Sequence, residues 1–559
     1  MNQEARIDSE FASLLELARG RCRNDQELDL VRKAFDYARE AHKGFSLGGG
    51  EPFILHPLEV AKIVVGMIVL GCKSICAALL HDVPKNTDHS PEQLRPLFGD
   101  KITDLVEGLC NIRTVLESAH PLSEYDSDAA RAENFKRVLI SMGGDMRVVL
   151  IKLADRLENC RRLDSLPPGK ADRILAESKS LFIPLAHRLG LYGVKSEMEN
   201  IWLKHRHPQD YAWIENRINR DSVQRMREVE DFIAPIRSAL DASGLQFEIK
   251  KRIKTPYSIW YKMRTKGVSF EQIYDLYAVR IIFESDDRDT ESERKRAFEI
   301  YTMVTGLYPQ IQSRMRDWIN QPKENGYEAL HCTLMSKAGI WVEVQIRSRR
   351  MDDIAEKGIA AHWSYKKDGY LSEDDTSMDR WLAKVQDILN SGDIDSLELL
   401  EIIQDDVSSK TISVFTPKGE QRNIPKGSTA LDFAYYVHTH VGNQAIAAKI
   451  NSKLAPLSRQ LRGGDQVEII TARKSSPKPE WLEFLRTRHA RRRLIESLKA
   501  SADPDVLKRA EEILNSGPSS EEFTLNVTLL GSKRPGLLED IENALRRIDG
   551  IEDVVKCNL

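Results

Sequence analysis

The sequence predicts a multidomain α+β protein: an all-α domain first, a mixed α/β domain at the centre, then a small β-rich module and a helical segment. Three observations carry this. The 559 residues are too many for one core, so three to five domains are expected. Residues 10–195 carry helical periodicity almost throughout, with turn signals at Gly48-Gly49-Gly50 and Pro167-Pro168-Gly169. From Gln246 onward, short alternating strands with intervening helices take over.

Composition narrows the class. Charged residues make up 30% and hydrophobic residues 41%, which fits a soluble globular chain with polar helix surfaces. A net charge of −3 argues against coating nucleic acid through total charge, though local basic patches remain open. Met1–Asp8 offers neither an apolar core nor a small-residue cleavage site, so no signal peptide is expected. The longest apolar run, Ile63–Cys72, falls short of the about 20 residues that a membrane span needs. The seven cysteines are scattered without a Cys-x-x-Cys pair, and Cys72 and Cys76, four apart in a helical pattern, read as core packing. A reducing cytoplasm is the expected location.

In the helical domain, His56, His81, Asp82 and Asp155 are candidate metal ligands. His81-Asp82 ends the apolar segment Cys76–Leu80, and Asp155 follows the apolar run Val148–Ile151. Charges on buried helices are costly unless paired or bound to a metal. Two imidazoles and two carboxylates suit Mn, Fe or Zn better than Ca. A capped histidine with a salt-bridged aspartate is the alternative.

The stretches Ala41-His42-Lys43-Gly44, Gly50–Pro57, Leu79-Leu80-His81-Asp82 and Lys152–Leu157 resemble the HD hydrolase domain of the RelA/SpoT family. The resemblance implies removal of the 3′-pyrophosphate from ppGpp and pppGpp, with Mn²⁺ on His56, His81, Asp82 and Asp155 and substrate contact at Asn159. This sequence departs from the pattern. Lys85 and Asn86 stand where two acidic residues normally help activate water, and neither a cation nor an amide serves as a base. Leu47 and Gly48 replace a basic pair, Glu158 a histidine, and Arg162 a small hydroxyl residue. The expectation for 1–195 is a hydrolase fold with lost or very weak activity.

In the central domain, Phe247–Ile253 alternates as a strand and Pro256 opens a helix, where proline costs least. Ser258, Lys262 and Lys266 then share one helical face, a good cradle for a triphosphate. Leu276–Glu284 reads as a buried strand that Asp275 precedes, unless a bulge intervenes. The later strand places Ile340, Val342, Val344 and Ile346 on one face, and Trp341, Glu343, Gln345 and Arg347 on the other. Many cationic donors, one exposed tyrosine at Tyr327 and two isolated carboxylates, Asp275 and Glu343, suit a site for two nucleotides and a divalent metal.

The segments Tyr257-Ser258-Ile259-Trp260, Tyr274–Ile281, Pro322–His331 and Val342–Arg347, with Gly358–Trp363, resemble the alarmone synthetase domain of the same family. That resemblance implies a nucleotidyltransferase-like domain over 196–370 that transfers pyrophosphate from ATP to the 3′-hydroxyl of GDP or GTP. By position, Arg252 and Arg280 would sandwich adenine, and Lys254, Ser258 and Lys262 would hold the ATP phosphates. Asp275 and Glu343 would bind Mg²⁺, with Glu343 as base. Tyr327 would stack on guanine, with Lys323, Asn325, His331 and Gln345 at the acceptor nucleotide. Departures are mild: Tyr261 for a basic residue, Glu328-Ala329 for Gln-Ser, Asp352 for His. Arg314–Asp317 matches the basic loop of bifunctional members.

Residues 371–408 read as an acidic linker with a helix around Trp381–Leu389. Residues 409–472 resemble the TGS domain, a β-grasp module, which implies contact with uncharged tRNA on the ribosome through His438. The basic helical segment 473–520, with Trp481, is a candidate RNA-contacting patch. Residues 521–559 resemble half of an ACT domain as a βαβ unit, so either the chain ends early or a second copy completes the sheet in a homodimer.

Overall fold

The computed structural model describes residues 3–118, 137, 145–220, 222–273, 275–285, 289–320, 322–323, 326–358, 411–417, 421–472, 475–500, 508–510 and 512–513. The 371–408 linker, the 521–559 unit, Asn325 and nearly all of the Gly358–Trp363 motif lie outside them. The chain divides into two compact units, Met1–Thr411 and Ile412–Leu559.

The first unit opens as a helical domain. Asn24 caps the helix Asp25–Ala41, its Oδ1 accepting from Glu27 N at 2.9 Å. Leu55–Gly66, Cys72–Leu80 and Met146–Arg161 are buried along most of their length and form the centre of one core. Cys72–Leu80 is apolar nearly all round and is covered by surrounding helices, whereas Met146–Arg161 carries the charged Asp155, Arg156 and Glu158 into the interior. His81 and Asp82 follow directly on Cys72–Leu80, as the sequence predicts.

The helices continue to Ser222–Ala242, where a mixed five-stranded sheet begins. Its strands are β1 (Phe247–Ile253), β2 (Tyr277–Phe283), β3 (Arg316–Asp317), β4 (Leu330–Met335) and β5 (Trp341–Ser348), in the order β1-β2-β5-β4-β3. Only β2 and β5 run parallel. Side chains alternate between the faces of a strand. One face therefore carries Val279, Ile281, Val342, Val344, Ile346, Leu330, Cys332 and Leu334 into a second core. The other carries the polar set described below.

The two halves of this unit touch. Tyr192 of the helix Tyr192–Arg206 meets the Tyr327 ring edge-on, with centroids 6.1 Å apart. Gly358, which ends the helix Arg349–Lys357 at φ +62°, sits so close to Leu189 that a Cβ there would lie 2.4 Å from its carbonyl oxygen.

The second unit holds β6 (Thr411–Phe415), β7 (Gln421–Pro425), β8 (Ala445–Ile450), β9 (Lys453–Ala455) and β10 (Val467–Thr471) around the helix Ala430–Val437. The segment after residue 472 corrects an expectation. Trp481 is not an exposed RNA-contacting aromatic: it is 7% exposed and packs in one core with Leu431, Ala434 and Tyr435. An indole surrounded by that much apolar surface is held in by hydrophobic burial. Asp432 ties the same junction, accepting from Thr487 N and Oγ1 at 2.8 Å and from Arg486 N at 3.2 Å.

Candidate functional site

Two polar sites lie in the first unit. In the helical domain, His56 Nε2 stands 3.5 Å from Asp82 Oδ2 and 3.4 Å from Asp155 Oδ1, and His81 Nε2 stands 3.5 and 3.9 Å from the same two oxygens. All four residues are buried. His81 Nδ1 donates to Ala78 O at 2.6 Å, which leaves Nε2 as the lone-pair nitrogen, and that atom is buried without a partner. His56, His81 and Asp155 bring ligand atoms within 4.8 Å of one another, Asp82 stands beside both imidazoles, and this donor set fits a divalent metal ion. Glu158, in the place of a histidine, bonds His56 Nδ1 and orients the ring. Carboxylate–imidazole pairing of this kind fixes a metal-ligand tautomer. Burial opposes protonation of His56, but Asp155, Glu158 and Asp82 carry its pKa up to about 10. Lys152 at 2.5 Å and Asn159 at 2.6 Å hold Asp155. Burial resists ionisation of that carboxyl, but the charge of Lys152 and the hydrogen bond and charge of His56 take it well below the usual range.

The cluster lines a cavity of about 710 Å³. Lys85, Arg113, Arg156 and Lys170 bring positive charge to its wall. Lys85 is where a water-activating carboxylate is usual, and the neighbouring Asn86 Nδ2 is buried without a partner. Gly48 leaves no room for the missing basic side chain: a Cβ there would sit 2.3 Å from Ser165 O. Arg162 also lines the cavity, pairing with Glu51 at 3.1 Å and with Glu158 at 3.6 Å.

The second site is the polar face of the central sheet. Register puts Lys250 opposite Arg280 and Arg252 opposite Ala278 across β1 and β2. It puts Ala278 beside Glu343 and Arg280 beside Gln345 across β2 and β5, and His331 opposite Gln345 across β4 and β5. Arg252, Arg280, Glu343, Gln345 and His331 therefore share one face, with small Ala278 leaving space among them. Asp275 lies in the turn before β2, so the strand begins after it and no bulge is needed.

Beside this face, Thr255 caps the helix Pro256–Lys266, as proline at its first position allows. Thr255 Oγ1 also donates to Ser258 Oγ at 2.9 Å. Asp275 is not isolated: Lys254 Nζ lies 2.7 Å from its Oδ2, and Lys262 holds the same oxygen. Burial opposes its ionisation, but the two ammonium groups hold it well below the usual carboxylate range.

Glu343 accepts from Gln345 Nε2 at 2.7 Å and lies 3.3 Å from His331 Nδ1. Burial works against its charge, but His331 and Gln345 bring its pKa down to about 2. Burial keeps His331 neutral, with its pKa lowered. An ionised carboxylate only accepts, so Nδ1 carries the ring proton and Nε2 accepts from the Tyr327 hydroxyl at 2.7 Å. Arg347 donates to the same hydroxyl oxygen at 2.5 Å.

Tyr327 is thus not exposed. It is 9% exposed, with the Arg347 guanidinium 4.8 Å and the Lys323 ammonium 5.3 Å from its ring centroid. The expectation of an exposed ring did not foresee the cover from Arg347 and Tyr192.

Sequence reasoning also missed Asp352, which it passed over as a mild departure. Its carboxylate takes Arg280 at 3.1 Å, Arg347 at 3.3 Å and Lys250 at 3.5 Å. Three cations facing one sheet face need such a counter-charge, which is the signal that was available. His438, in the second unit, is exposed at the start of the short helix Thr439–Asn443, its Nδ1 accepting from His440 N at 3.1 Å.

A buried His/Asp cluster suited to a divalent metal and, in the same unit, a cation-rich sheet face suited to nucleotides define a class of two-site α+β protein, and comparison with known proteins gives its family. Residues 34–192 match the HD domain, 251–370 the region found in RelA / SpoT proteins, and 412–471 the TGS domain. The chain is 35% identical over 510 residues to a GTP pyrophosphokinase of Myxococcus xanthus, covering 90% of this chain and 65% of that protein. It is 35% identical over 493 residues to a guanosine-3′,5′-bis(diphosphate) 3′-pyrophosphohydrolase of Vibrio cholerae, covering 88% and 68%. It is 36% identical over 506 residues to the bifunctional (p)ppGpp synthase/hydrolase SpoT of Escherichia coli, covering 90% and 70%. The chain spans 65% to 70% of the length of these curated relatives. It belongs to the RelA/SpoT family. Among the described residues no helix is long and apolar enough to cross a membrane.

Proposed function

We propose that the chain transfers pyrophosphate from ATP to the 3′-hydroxyl of GDP or GTP on the polar face of the central sheet, and that hydrolysis of the product at its HD site is lost or weak. The observation that carries this is the pairing of an intact cation and carboxylate set around Asp275 and Glu343 with Lys85 at the wall of the HD cavity and the amide of Asn86 buried next to it. In the transfer, the acceptor oxygen bonds to the β-phosphorus of ATP, the bond to the α-phosphate oxygen breaks, and AMP leaves. Such chemistry relies on positioning and charge stabilisation.

Lys254, Ser258 and Lys262 hold the triphosphate, and Arg252 and Arg280 take the adenine. Lys323, Asn325, Tyr327, His331 and Gln345 orient the acceptor. A guanine stack on Tyr327 requires the Lys323 ammonium to leave the ring. Asp275 and Glu343 suit Mg²⁺, which would neutralise phosphate charge. Glu343 is the candidate base; once the acceptor hydroxyl takes the place of the His331 hydrogen bond, the carboxylate loses the contact that holds its pKa low.

A second reading, residual hydrolysis, draws support from the built His/Asp cluster and the orienting Glu158, which suit Mn²⁺. Through His438 the second unit would contact uncharged tRNA on the ribosome, and a second copy of the chain would pair through the C-terminal half.

One experiment separates these readings. Purified protein is incubated with ATP, GDP and Mg²⁺, and separately with ppGpp and Mn²⁺, and both are read by nucleotide chromatography. Product in the first that vanishes in Glu343→Gln, with the second unchanged, is the expected result. Breakdown of ppGpp favours the second reading. Inertness of both, even with ribosomes and uncharged tRNA, would point to a binding sensor and overturn the synthetase.

A further inference from the structure

At the opposite end of the helix Cys72–Leu80 from His81, three thiols and a carboxylate converge. Cys22 lies just beyond the helix Gln3–Arg19, its backbone N–H bonded to Ala18 O at 2.9 Å. Glu27 is in the first turn of the next helix, with Oε2 accepting from Arg23 N at 2.8 Å. Cys72 and Cys76 are one turn apart, on the same face of their helix. Cys22 Sγ, a Glu27 carboxylate oxygen and Cys72 Sγ all lie within 4.8 Å of one another. Cys76 Sγ is 4.0 Å from Cys72 Sγ.

We propose that Cys22, Cys72, Cys76 and Glu27 form a site for one thiophilic divalent metal ion, zinc by the nature of the donors. A tetrahedral zinc with sulfur at about 2.3 Å separates its ligand atoms by roughly 3.8 Å. The observed spacings, within 4.8 Å among Cys22, Glu27 and Cys72 and 4.0 Å from Cys72 to Cys76, lie near that separation. Core packing, the reading the spacing of Cys72 and Cys76 first gives, accounts for two buried thiols. It does not account for the half-buried Cys22 thiol beside them.

A metal ion would bind the thiols as thiolates and displace their protons. Cys22 and Glu27, both half-buried, give it a way in. Its donors are soft where the His/Asp cluster is not, so the two sites sort metals by ligand type. The ion would fasten the turn between the first two helices to the start of the helix that leads into His81-Asp82.

The test uses the full chain, reduced and stripped of metal, with Co²⁺ as the probe. A thiolate-to-cobalt charge-transfer band should grow in to one equivalent and disappear on adding Zn²⁺. Cys110, the thiol lining the HD cavity, is the control: Cys110→Ser should keep the band. Cys22→Ser, at a half-buried turn position, should fold as judged by circular dichroism and bind cobalt at least about tenfold more weakly. Zn²⁺ should raise the thermal midpoint of the parent more than that of Cys22→Ser. No charge-transfer band, a band unchanged in Cys22→Ser, or a band lost in Cys110→Ser would each overturn the site.

Discussion

Lys254 Nζ lies 2.7 Å from Oδ2 of Asp275, the same oxygen that Lys262 holds. Two ammonium groups on one carboxylate oxygen are a resting arrangement that a triphosphate can exchange. ATP offers the lysines more negative charge than Asp275 does, and their departure frees the carboxylate for a metal ion. Asp275→Asn should therefore bind metal-free ATP at least as tightly as the parent in calorimetry. Its rate of (p)ppGpp synthesis should fall by at least about a hundredfold, since charge stabilisation at the phosphates is lost. Weaker binding of metal-free ATP would contradict the exchange.

The HD cavity offers a gain-of-function test. The double substitution Lys85→Glu with Asn86→Asp returns two carboxylates beside His81-Asp82 and removes a cation from the cavity wall. Positioned acid–base groups contribute about a hundredfold or more to rate. The variant should break down ppGpp with Mn²⁺ at least about a hundredfold faster than the parent, read by release of pyrophosphate. If its rate matches the parent's, Lys85 and Asn86 are not what limits hydrolysis.

Glu343 gives a pH prediction. Its pKa is held at about 2 in the folded chain against an ordinary 4.5, so between those values the unfolded chain binds more protons. Its contribution to stability is present in full above about pH 4.5 and is lost as pH falls through about 2. The contribution is of order 3 kcal/mol. Urea unfolding followed from pH 5 down to pH 3 should show the parent losing more stability than Glu343→Gln.

How much of this was legible beforehand varies by element. Binary pattern alone placed β1, the proline-started helix and the two faces of β5, because period-two and helical spacing are written into adjacent residues. Asp275 ahead of β2 was legible too: it stands five residues from Arg280, and in one regular strand that odd spacing would turn the two to opposite faces. Asp352 was not: its role depends on three cations brought from β1, β2 and β5, and no local pattern encodes that convergence. Trp481 misled for the same reason, since a basic neighbourhood says nothing of the apolar helix that covers the indole. Glu158 looked like a loss in the sequence and is the group that orients His56.

Arg350 provides a stability test outside both sites. It is buried with Glu293, at 2.6 Å and 1% exposed, and also takes Glu328 at 2.7 Å. Removing one partner of a buried pair strands the other's charge, at a cost of about 3–5 kcal/mol. Arg350→Met should destabilise the first unit by that amount in urea. Arg350→Met combined with Glu293→Leu should recover much of the loss, and a purely additive double variant would count against the pairing.

The second unit has a boundary that ancestry does not mark. Likeness to the TGS domain stops at residue 471, yet Leu431, Ala434 and Tyr435 are sealed by Trp481, Leu482, Leu485 and Leu494 from beyond it. A fragment trimmed to the recognisable module would leave that apolar face bare and prone to association. Heredity and hydrophobic closure thus draw different outlines around the same helix. The arginines at 491–493 therefore travel with the module as fixed surface, in register with it, and not as a detachable arm.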